Sequence, residues 1–333
     1  MENFVNQAPI IVVVLLLIAG FVLLIKGADF FVEGSSSVAK RFHVPSIIIG
    51  LTVVAMGTSL PETAVSVTAS ISNNNALAIS NAVGSNIFNL MVVIGMCAIM
   101  TPVLVGVDTI KKDIPFSAIC ALLLLAFGIL GIADVSGMTL GHLDGILFLV
   151  LFVVYIVALV KRALKSQKEG KEVEVEGGSE EEIKLLSIPK SILFIIGGGA
   201  AIAIGGDLTV DSASRIAIEC GMSQTLVGLT IVSIGTSLPE LVTSIVAARK
   251  KEIGMALGNA IGSNIFNILM VLGIASAISP IAMITENMID IAILLVFTLF
   301  VWLFATTKKR LDRKEGIMML ACYVAYFVYI FLR

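Results

Sequence analysis

Residues 57–62 read GTSLPE, and residues 235–240 read GTSLPE again. A second signature, NAVGSNIFN at residues 81–89, returns as NAIGSNIFN at residues 259–267. Both signatures recur after the same 178 positions. The same offset relates three further pairs of residues, namely Gly50 and Gly228, Asp29 and Asp207, and Glu33 and Asp211. The chain is therefore predicted to contain two copies of one unit.

The composition excludes a water-soluble fold. Of the 333 residues, 58% are hydrophobic and only 14% are charged, and the mean hydropathy is +1.05. A soluble domain has about a quarter of its residues charged, so the solvent of this chain is predicted to be the lipid bilayer. The net charge is −2 and the basic residues form no patch, which excludes nucleic acid as an expected partner.

Charges, proline, asparagine and glycine divide the chain into ten apolar stretches, each long enough for a helix to cross a membrane. The predicted spans are 9–40, 46–71, 76–100, 115–133, 144–160, 190–218, 224–248, 253–278, 287–306 and 316–332. None alternates like a β-barrel strand, so the predicted fold class is an all-α integral membrane protein with ten transmembrane helices. Nearly all Lys and Arg residues follow odd-numbered spans, which predicts cytoplasmic loops there and both termini on the outside.

Five spans per unit is an odd number, so the second unit must enter the membrane from the opposite side. The predicted organisation is a first five-helix repeat at 1–163, a flexible cytoplasmic linker at 164–188 and a second, inverted repeat at 189–333. The signature regions are 46–100 and 224–278. Inverted repeats are typical of secondary transporters, whose sites lie near the bilayer midplane between the repeats.

Each GTSLPE signature places a proline and a glutamate in the middle of a predicted span. Pro61 and Pro239 interrupt their helices, and the carbonyls freed there must face protein or water. Glu62 and Glu240 are the only charged residues within their spans. A carboxylate at mid-membrane costs about 3 kcal/mol or more unless it is paired or coordinated. Packing alone would explain one kinked motif, but two inverted copies that each carry a glutamate favour a proton or a bound cation.

Oxygen-bearing side chains accompany the two glutamates. They are Thr58, Ser59, Thr236 and Ser237 within the first signature, and Asn81 and Asn259 in the following spans. Two carboxylates carry a charge of −2, which matches one divalent cation or two monovalent cations. Oxygen ligands select hard cations, and Ca²⁺ accepts about six to eight of them. No His or Cys lies near either motif, which argues against a transition metal.

The duplicated GTSLPE and GSNIFN signatures resemble the repeats of the cation/calcium antiporter superfamily, and in particular the prokaryotic sodium/calcium exchangers. The resemblance implies that Glu62 and Glu240 bind Ca²⁺ and Na⁺ in mutually exclusive fashion. It also implies hydroxyl ligands at the four Thr and Ser positions named above and backbone carbonyl ligands at Ala55 and Ser233. In that family the long first and sixth helices slide across the rest of the protein and expose the site alternately.

The function implied by the resemblance is antiport of Ca²⁺ against Na⁺ in a prokaryotic cell membrane. We expect no cofactor and no catalytic residue, membrane lipid around the protein, and a monomer as the functional unit. Prokaryotic members often carry an aspartate where this chain has Asn259, so the binding of a third Na⁺ stays open. H⁺/Ca²⁺ exchange is an alternative, and a passive cation channel is an alternative from another class. An intramembrane aspartyl protease lacks a second aspartate partner for the GGD at 205–207.

Other acidic residues have two interpretations. Asp29 and Glu33 recur as Asp207 and Asp211, and these four residues either line ion-entry vestibules or pair locally with basic residues. Pairing is the more frequent outcome for carboxylates near helix ends. The linker at 164–188 is rich in glutamate, and we expect a solvated tether there rather than a regulatory Ca²⁺ site.

Overall fold

The computed structural model describes residues 2–72, 75–130, 138–168, 185–222, 227, 231 and 233–332. The helices in this part of the chain are α1 (Glu2–Gln7), α2 (Ile10–Arg41), α3 (Ser46–Thr58), α4 (Leu60–Ile71), α5 (Leu77–Met100), α6 (Thr109–Leu130), α7 (His142–Lys168), α8 (Ile188–Glu219), α9 (Ser233–Gly235), α10 (Leu238–Arg249), α11 (Ile253–Ile278), α12 (Thr285–Lys308) and α13 (Arg313–Leu332). The described strands have two residues each: β1 (Val103–Leu104), β2 (Thr139–Leu140), β3 (Ile281–Ala282) and β4 (Arg310–Leu311). They pair antiparallel, β1 with β4 and β2 with β3.

The predicted helical membrane fold is confirmed at the level of its elements. Eight helices in the described residues are long and apolar enough to cross a membrane, and α3 with α4 forms a ninth candidate span that is bent by 49°. The sequence predicts ten spans. The first part of the seventh, residues 224–232, lies largely outside the described residues, so only its later part, with α9 and α10, is observed. Residues 169–184 of the predicted linker also lie outside the described residues.

Two pairs of equivalent helices begin and end at residues that are 178 positions apart, the offset of the sequence repeat. Helices α2 and α8 begin and end 178 positions apart, and so do α4 and α10. Within α5 and α11, the α-helical geometry changes to a π-helical segment at equivalent residues, Asn89 and Asn267. Strands β1 and β3 are related by the same offset. The repeat in the sequence is therefore also a repeat of local structure.

A break in the helix precedes each glutamate. Ser59 separates α3 from α4 with φ −84° and ψ 7°, and Ser237 precedes α10 with φ −95° and ψ 4°. Pro61 and Pro239 lie in the first turns of the new helices, where a missing backbone N–H leaves no hydrogen bond unmade. Each break therefore starts a helix whose first turn carries the glutamate.

Helices α5 and α11 form the centre of the bundle. Their most apolar windows are 72% and 78% buried, against 22% for α2 and 17% for α13. Helix α3 crosses α11 at very short range, because a Cβ placed on Gly258 would lie 3.0 Å from the Cα of Gly50. The helices that carry the second signature are thus the core against which the glutamate-bearing helices pack.

Helices α2 and α8 pack along each other through glycines. A Cβ on Gly198 of α8 would lie 2.7 Å from the carbonyl oxygen of Gly27 and 2.7 Å from the amide nitrogen of Phe31. Farther along the pair, a Cβ on Gly205 would lie 2.8 Å from the carbonyl oxygen of Gly20. Small residues of this kind let membrane helices approach until their backbones touch.

We expect Gly198→Ala to lower the thermal stability of the protein, because the new methyl group would overlap backbone atoms of α2. Overpacking of this kind costs about 1–3 kcal/mol. Gly197→Ala is the matched control, since no atom lies within 4 Å of its Cβ position and alanine favours a helix. Thermal unfolding of the purified variants in detergent measures the difference. Equal melting temperatures would contradict the close packing of α2 on α8.

Candidate cation site

Glu62 and Glu240 lie in the first turns of α4 and α10, and both are fully buried, with 0% exposure. Their carboxylates are close enough to interact electrostatically. Among the described residues, no lysine or arginine forms an ion pair with either carboxylate. The positive ends of the α4 and α10 dipoles partly offset the burial of the two charges.

Glu240 is contacted from both repeats. Ser59 donates a hydrogen bond to its Oε1 at 3.2 Å, and Ser263 donates to the same atom at 3.5 Å. In the described structure, Oε2 of Glu240 and both carboxylate oxygens of Glu62 are buried without a hydrogen-bond partner. Buried polar atoms without partners are costly. These three oxygens therefore mark where a cation or a proton would be stabilised.

Asn81 on α5 joins the two repeats. Its amide oxygen accepts a hydrogen bond from Thr236 Oγ1 at 3.2 Å. Its amide nitrogen donates to Ser66 Oγ at 3.1 Å and to the backbone carbonyl of Glu62 at 3.5 Å. Asn81 thus links the glutamate helix of its own repeat to the threonine of the other repeat.

Asn259 on α11 forms the equivalent connection in the opposite sense. Its amide oxygen accepts from Thr58 Oγ1 at 3.0 Å. Its amide nitrogen donates to Ser244 Oγ at 2.9 Å and to the backbone carbonyl of Glu240 at 3.3 Å. We call the hydrogen bonds of Asn81 and Asn259 the crossed clamps. Each asparagine binds the glutamate backbone of its own repeat and the threonine of the other repeat.

The remaining predicted residues lie beside this network. The hydroxyl of Ser237 is buried and has no partner in the described structure. The carbonyl oxygen of Ala55 accepts the amide of Ser59 at 3.0 Å, and the Thr58 hydroxyl lies 3.3 Å from it. Ser233 is the first residue of α9, and its side chain lies outside the described part of the chain. Direct contacts join eight predicted residues: Glu62, Glu240, Thr58, Ser59, Thr236, Asn81, Asn259 and Ala55.

Sequence reasoning missed four polar residues of the second signature, Ser85, Asn89, Ser263 and Asn267, which are all buried. The Ser85 hydroxyl, both amide atoms of Asn89 and the amide oxygen of Asn267 have no partner among the described residues. A signal for them exists in the sequence. The first asparagine, the serine and the last asparagine of each signature are spaced by four residues, which places them on one helix face.

The donor set at this site consists of oxygen atoms. The described residues include no group of three or more His, Cys, Asp or Glu that could hold a metal ion, so a transition-metal centre has no ligand set there. Carboxylates, hydroxyls and amide oxygens are instead the donors that hard cations such as Na⁺ and Ca²⁺ prefer. Two carboxylates can balance one divalent or two monovalent cations.

Asp29 and Glu33 of α2 pair with a lysine from the end of α10. Lys250 Nζ lies 3.5 Å from the Asp29 carboxylate and 4.0 Å from that of Glu33, and it donates to the backbone carbonyl of Asp29 at 2.9 Å. Lys26 lies 3.7 Å from Asp29 on the other side. Of the two interpretations of these residues, the structure shows local pairing, and the pairing ties α2 to the second repeat.

A profile of the sodium/calcium exchanger protein family matches the chain over residues 12–161 and 190–332. The putative antiporter CaxA of Alkalimonas amylolytica is 38% identical, over 95% of this chain and 98% of that protein. The sodium/calcium exchanger MaX1 of Methanosarcina acetivorans is 31% identical, also over 95% of this chain and 98% of that protein.

Solved structures of the sodium-calcium exchanger NCX_Mj share the fold. One of them, soaked with 2.5 mM Na⁺ and 10 mM Sr²⁺, superposes with a TM-score of 0.81 at 33% sequence identity, covering 96% of this chain and 99% of that chain. The matches in sequence and in structure both extend across the apolar helices and both glutamate motifs. The chain therefore belongs to the sodium/calcium exchanger protein family.

Proposed function

We propose that this chain is a secondary active antiporter that exchanges Ca²⁺ for Na⁺ across a prokaryotic membrane by alternating access. The observation that carries the proposal is the pair of fully buried glutamates, whose three unpartnered carboxylate oxygens face no basic residue within the described structure. The family supports cation antiport. The names of MaX1 and NCX_Mj assign Na⁺ and Ca²⁺ to those proteins.

We infer that Glu62 and Glu240 coordinate the transported ion, with the hydroxyls of Ser59 and Ser237 beside them. The backbone carbonyls of Ala55 and Ser233 and the oxygens of Thr58 and Thr236 complete the set implied by the family resemblance. In the crossed clamps, both asparagine amide oxygens already accept a threonine hydroxyl. Asn81 and Asn259 would therefore contribute mainly by holding the threonines in place. Ser85, Asn89, Ser263 and Asn267 are proposed as additional oxygen donors.

Charge balance explains why transport would be coupled. Two carboxylates in a poorly screened site repel each other. Without a bound ion, this repulsion would raise the free energy of the occluded state, through which alternating access must pass. One Ca²⁺ or two Na⁺ remove that penalty. Both ions need the same carboxylates and cannot bind together. The protein would thus cross between its two states only when loaded, which produces exchange instead of leak.

We further propose ten transmembrane helices in two inverted repeats, 1–163 and 189–333, joined by the linker at 164–188. The equal spacing of α2 and α8 and of α4 and α10 supports this division. Loop charges support outward termini. The close pairing of α2 with α8 supports their movement as one unit across the rest of the protein, and a monomer contains both halves of the site.

Proton coupling is the second candidate. Both oxygens of the Glu62 carboxylate lack a partner in the described structure, and a proton would stabilise this group as well as a cation would. H⁺/Ca²⁺ exchange would then use the same two glutamates. A passive channel is disfavoured because both glutamates are fully buried and the crossed clamps close around them.

Glu62→Gln and Glu240→Gln are each expected to reduce exchange by about 100-fold or more, because a buried ion that loses one partner charge loses several kcal/mol. Glu286→Gln, an exposed glutamate in the first turn of α12, is the matched control and should transport normally. Na⁺-gradient-driven uptake of radioactive Ca²⁺ into proteoliposomes is the measurement. Near-normal uptake by either buried-site variant would refute the assignment of the site.

Competition between Na⁺ and Ca²⁺ tests whether they share the glutamates. Raising Na⁺ on the side from which Ca²⁺ enters should raise the apparent KM for Ca²⁺ and leave the maximal rate unchanged. Initial rates at several Na⁺ concentrations and at several pH values give this comparison. Inhibition by protons without any effect of Na⁺ would establish the H⁺/Ca²⁺ alternative, and a purely non-competitive effect of Na⁺ would exclude a shared site.

An inside-positive membrane potential is expected to accelerate Na⁺-driven Ca²⁺ uptake, and Asn259→Asp is expected to change this response little. The amide nitrogen of Asn259 donates to the Glu240 carbonyl, so an aspartate there must keep its proton to make the same bond. Asparagine is then the neutral equivalent of the acid found in relatives, and a third Na⁺ can still bind. Potentials set with K⁺ and valinomycin provide the test. Uptake that ignores the potential would instead indicate two Na⁺, or two H⁺, per Ca²⁺.

A further inference from the structure

A cavity of about 240 Å³ lies between α6 and α7, outside the cation site. Its walls are mainly apolar and include Phe116, Leu151 and Leu159, while Lys112 and Arg162 line its other part. The α7 residues that line it run from Leu151 to Arg162, which corresponds to about 16 Å along a helix. The cavity is therefore an elongated slot with basic side chains toward the ends of α6 and α7 that are predicted to be cytoplasmic.

The ends of α6 and α7 beside the slot carry an excess of positive charge. Arg162 pairs with Asp113, which also lines the slot, is only 2% exposed and needs this partner to remain buried. Arg162 also lies 3.9 Å from the Asp108 carboxylate. Lys112 pairs at 2.8 Å with Asp108, whose side chain is 63% exposed, and such exposed pairs contribute little and exchange readily. Residues 108–113 and 161–165 together contain five basic and two acidic side chains. An anionic group beside these ends would thus meet a net positive field.

A polar atom inside the slot has no partner. Tyr155 lines the slot and is 7% exposed, and its ring stacks on Phe116 with a centroid distance of 4.9 Å. Its hydroxyl is buried and forms no hydrogen bond within the described structure. A buried hydroxyl of this kind is stabilised by an acceptor atom, and a molecule that fills the apolar slot can supply one.

We propose that this slot binds one anionic glycerophospholipid from the leaflet on the predicted cytoplasmic side. The acyl chain occupies the apolar slot between α6 and α7, and the phosphate lies against Lys112 and Arg162. The Tyr155 hydroxyl donates to an ester carbonyl, which lies between the chain and the phosphate in such lipids. Basic pockets between membrane helices on this side are suited to anionic headgroups. The bound lipid would connect α6 to α7 and stabilise the protein.

Two lipids with identical acyl chains distinguish the contribution of the headgroup to binding from that of the acyl chain in the slot. The purified full chain is titrated in detergent with dioleoyl phosphatidylglycerol or dioleoyl phosphatidylcholine, and bound lipid is counted by native mass spectrometry while the melting temperature is recorded. We expect the wild type to retain one phosphatidylglycerol and to be stabilised more by it than by phosphatidylcholine. Equal retention and equal stabilisation by the two lipids would overturn the proposal.

Matched variants test the two parts of the site. Ala158→Phe fills the slot and should remove both effects of phosphatidylglycerol, whereas Val153→Phe, on the exposed face of α7 outside the slot, should retain them. Lys112→Gln alters an exposed side chain and should weaken phosphatidylglycerol about fivefold without affecting phosphatidylcholine, with Lys314→Gln as its control. Unchanged binding by Ala158→Phe, or displacement of the phospholipid by an equal concentration of oleate, would refute a phospholipid site.

Discussion

Two buried carboxylates that have no basic partner among the described residues are the constraint on which the rest of this structure depends. A charge near mid-membrane costs about 3 kcal/mol or more, and irregular backbone is tolerated at that depth only where protein or water covers it. Several irregular features of the fold lie close to these carboxylates along the chain. Ser59 and Ser237 break the helices just before the glutamates, and π-helical segments begin at Asn89 and Asn267 in the two most buried helices. The bundle thus buries the helix breaks and the π-helical segments, whose irregular backbone an oxygen-lined site requires.

The protein divides into a core that is cross-linked by side chains and a pair of helices, α2 and α8, that pack along each other. In the core, Asn86 donates to the Asn264 carbonyl at 3.1 Å, and Asn264 donates to the Asn86 carbonyl at 3.0 Å, so side chains bind backbone across the repeats. The crossed clamps add side-chain hydrogen bonds between the repeats, from Thr58 to Asn259 and from Thr236 to Asn81. Helices α2 and α8 meet each other backbone to backbone, and Phe31 of α2 covers Gly57 of the core with its ring. Moving an apolar ring across a glycine costs less free energy than breaking a network of hydrogen bonds. This difference fits the proposed movement of α2 and α8 as a pair across the core.

The sequence predicts the elements of this fold well, because a membrane helix is selected mainly by its transfer into lipid, and hydropathy reports on that transfer directly. It also identifies Glu62 and Glu240 as candidate ligands, since a lone charge within an apolar span has few explanations. The structure shows both to be buried, and their role as ligands stays a prediction. The π-helical segments were not predicted, because they differ from α-helix by one residue per turn and leave no mark in composition. Lys250 was not identified as the partner of Asp29 and Glu33, since 221 residues separate it from Asp29 and only the fold brings them together. The division into repeats at 163 and 189 stays a prediction.

Most of these bonds have a counterpart in the other repeat, but one does not, and this asymmetry fits the proposed alternating access. Asn267 donates to the Asn86 side chain at 3.1 Å, whereas the equivalent pair, Asn89 and Asn264, leaves its corresponding amide atoms without partners among the described residues. At these four asparagines the two repeats thus have the same side chains in different arrangements. If the repeats exchanged these arrangements, the Asn267–Asn86 bond would be replaced by an Asn89–Asn264 bond of the same chemistry. In the antiporter that we propose, the charge balance of the bound ion, more than such a hydrogen bond, would then decide when the protein crosses between its states.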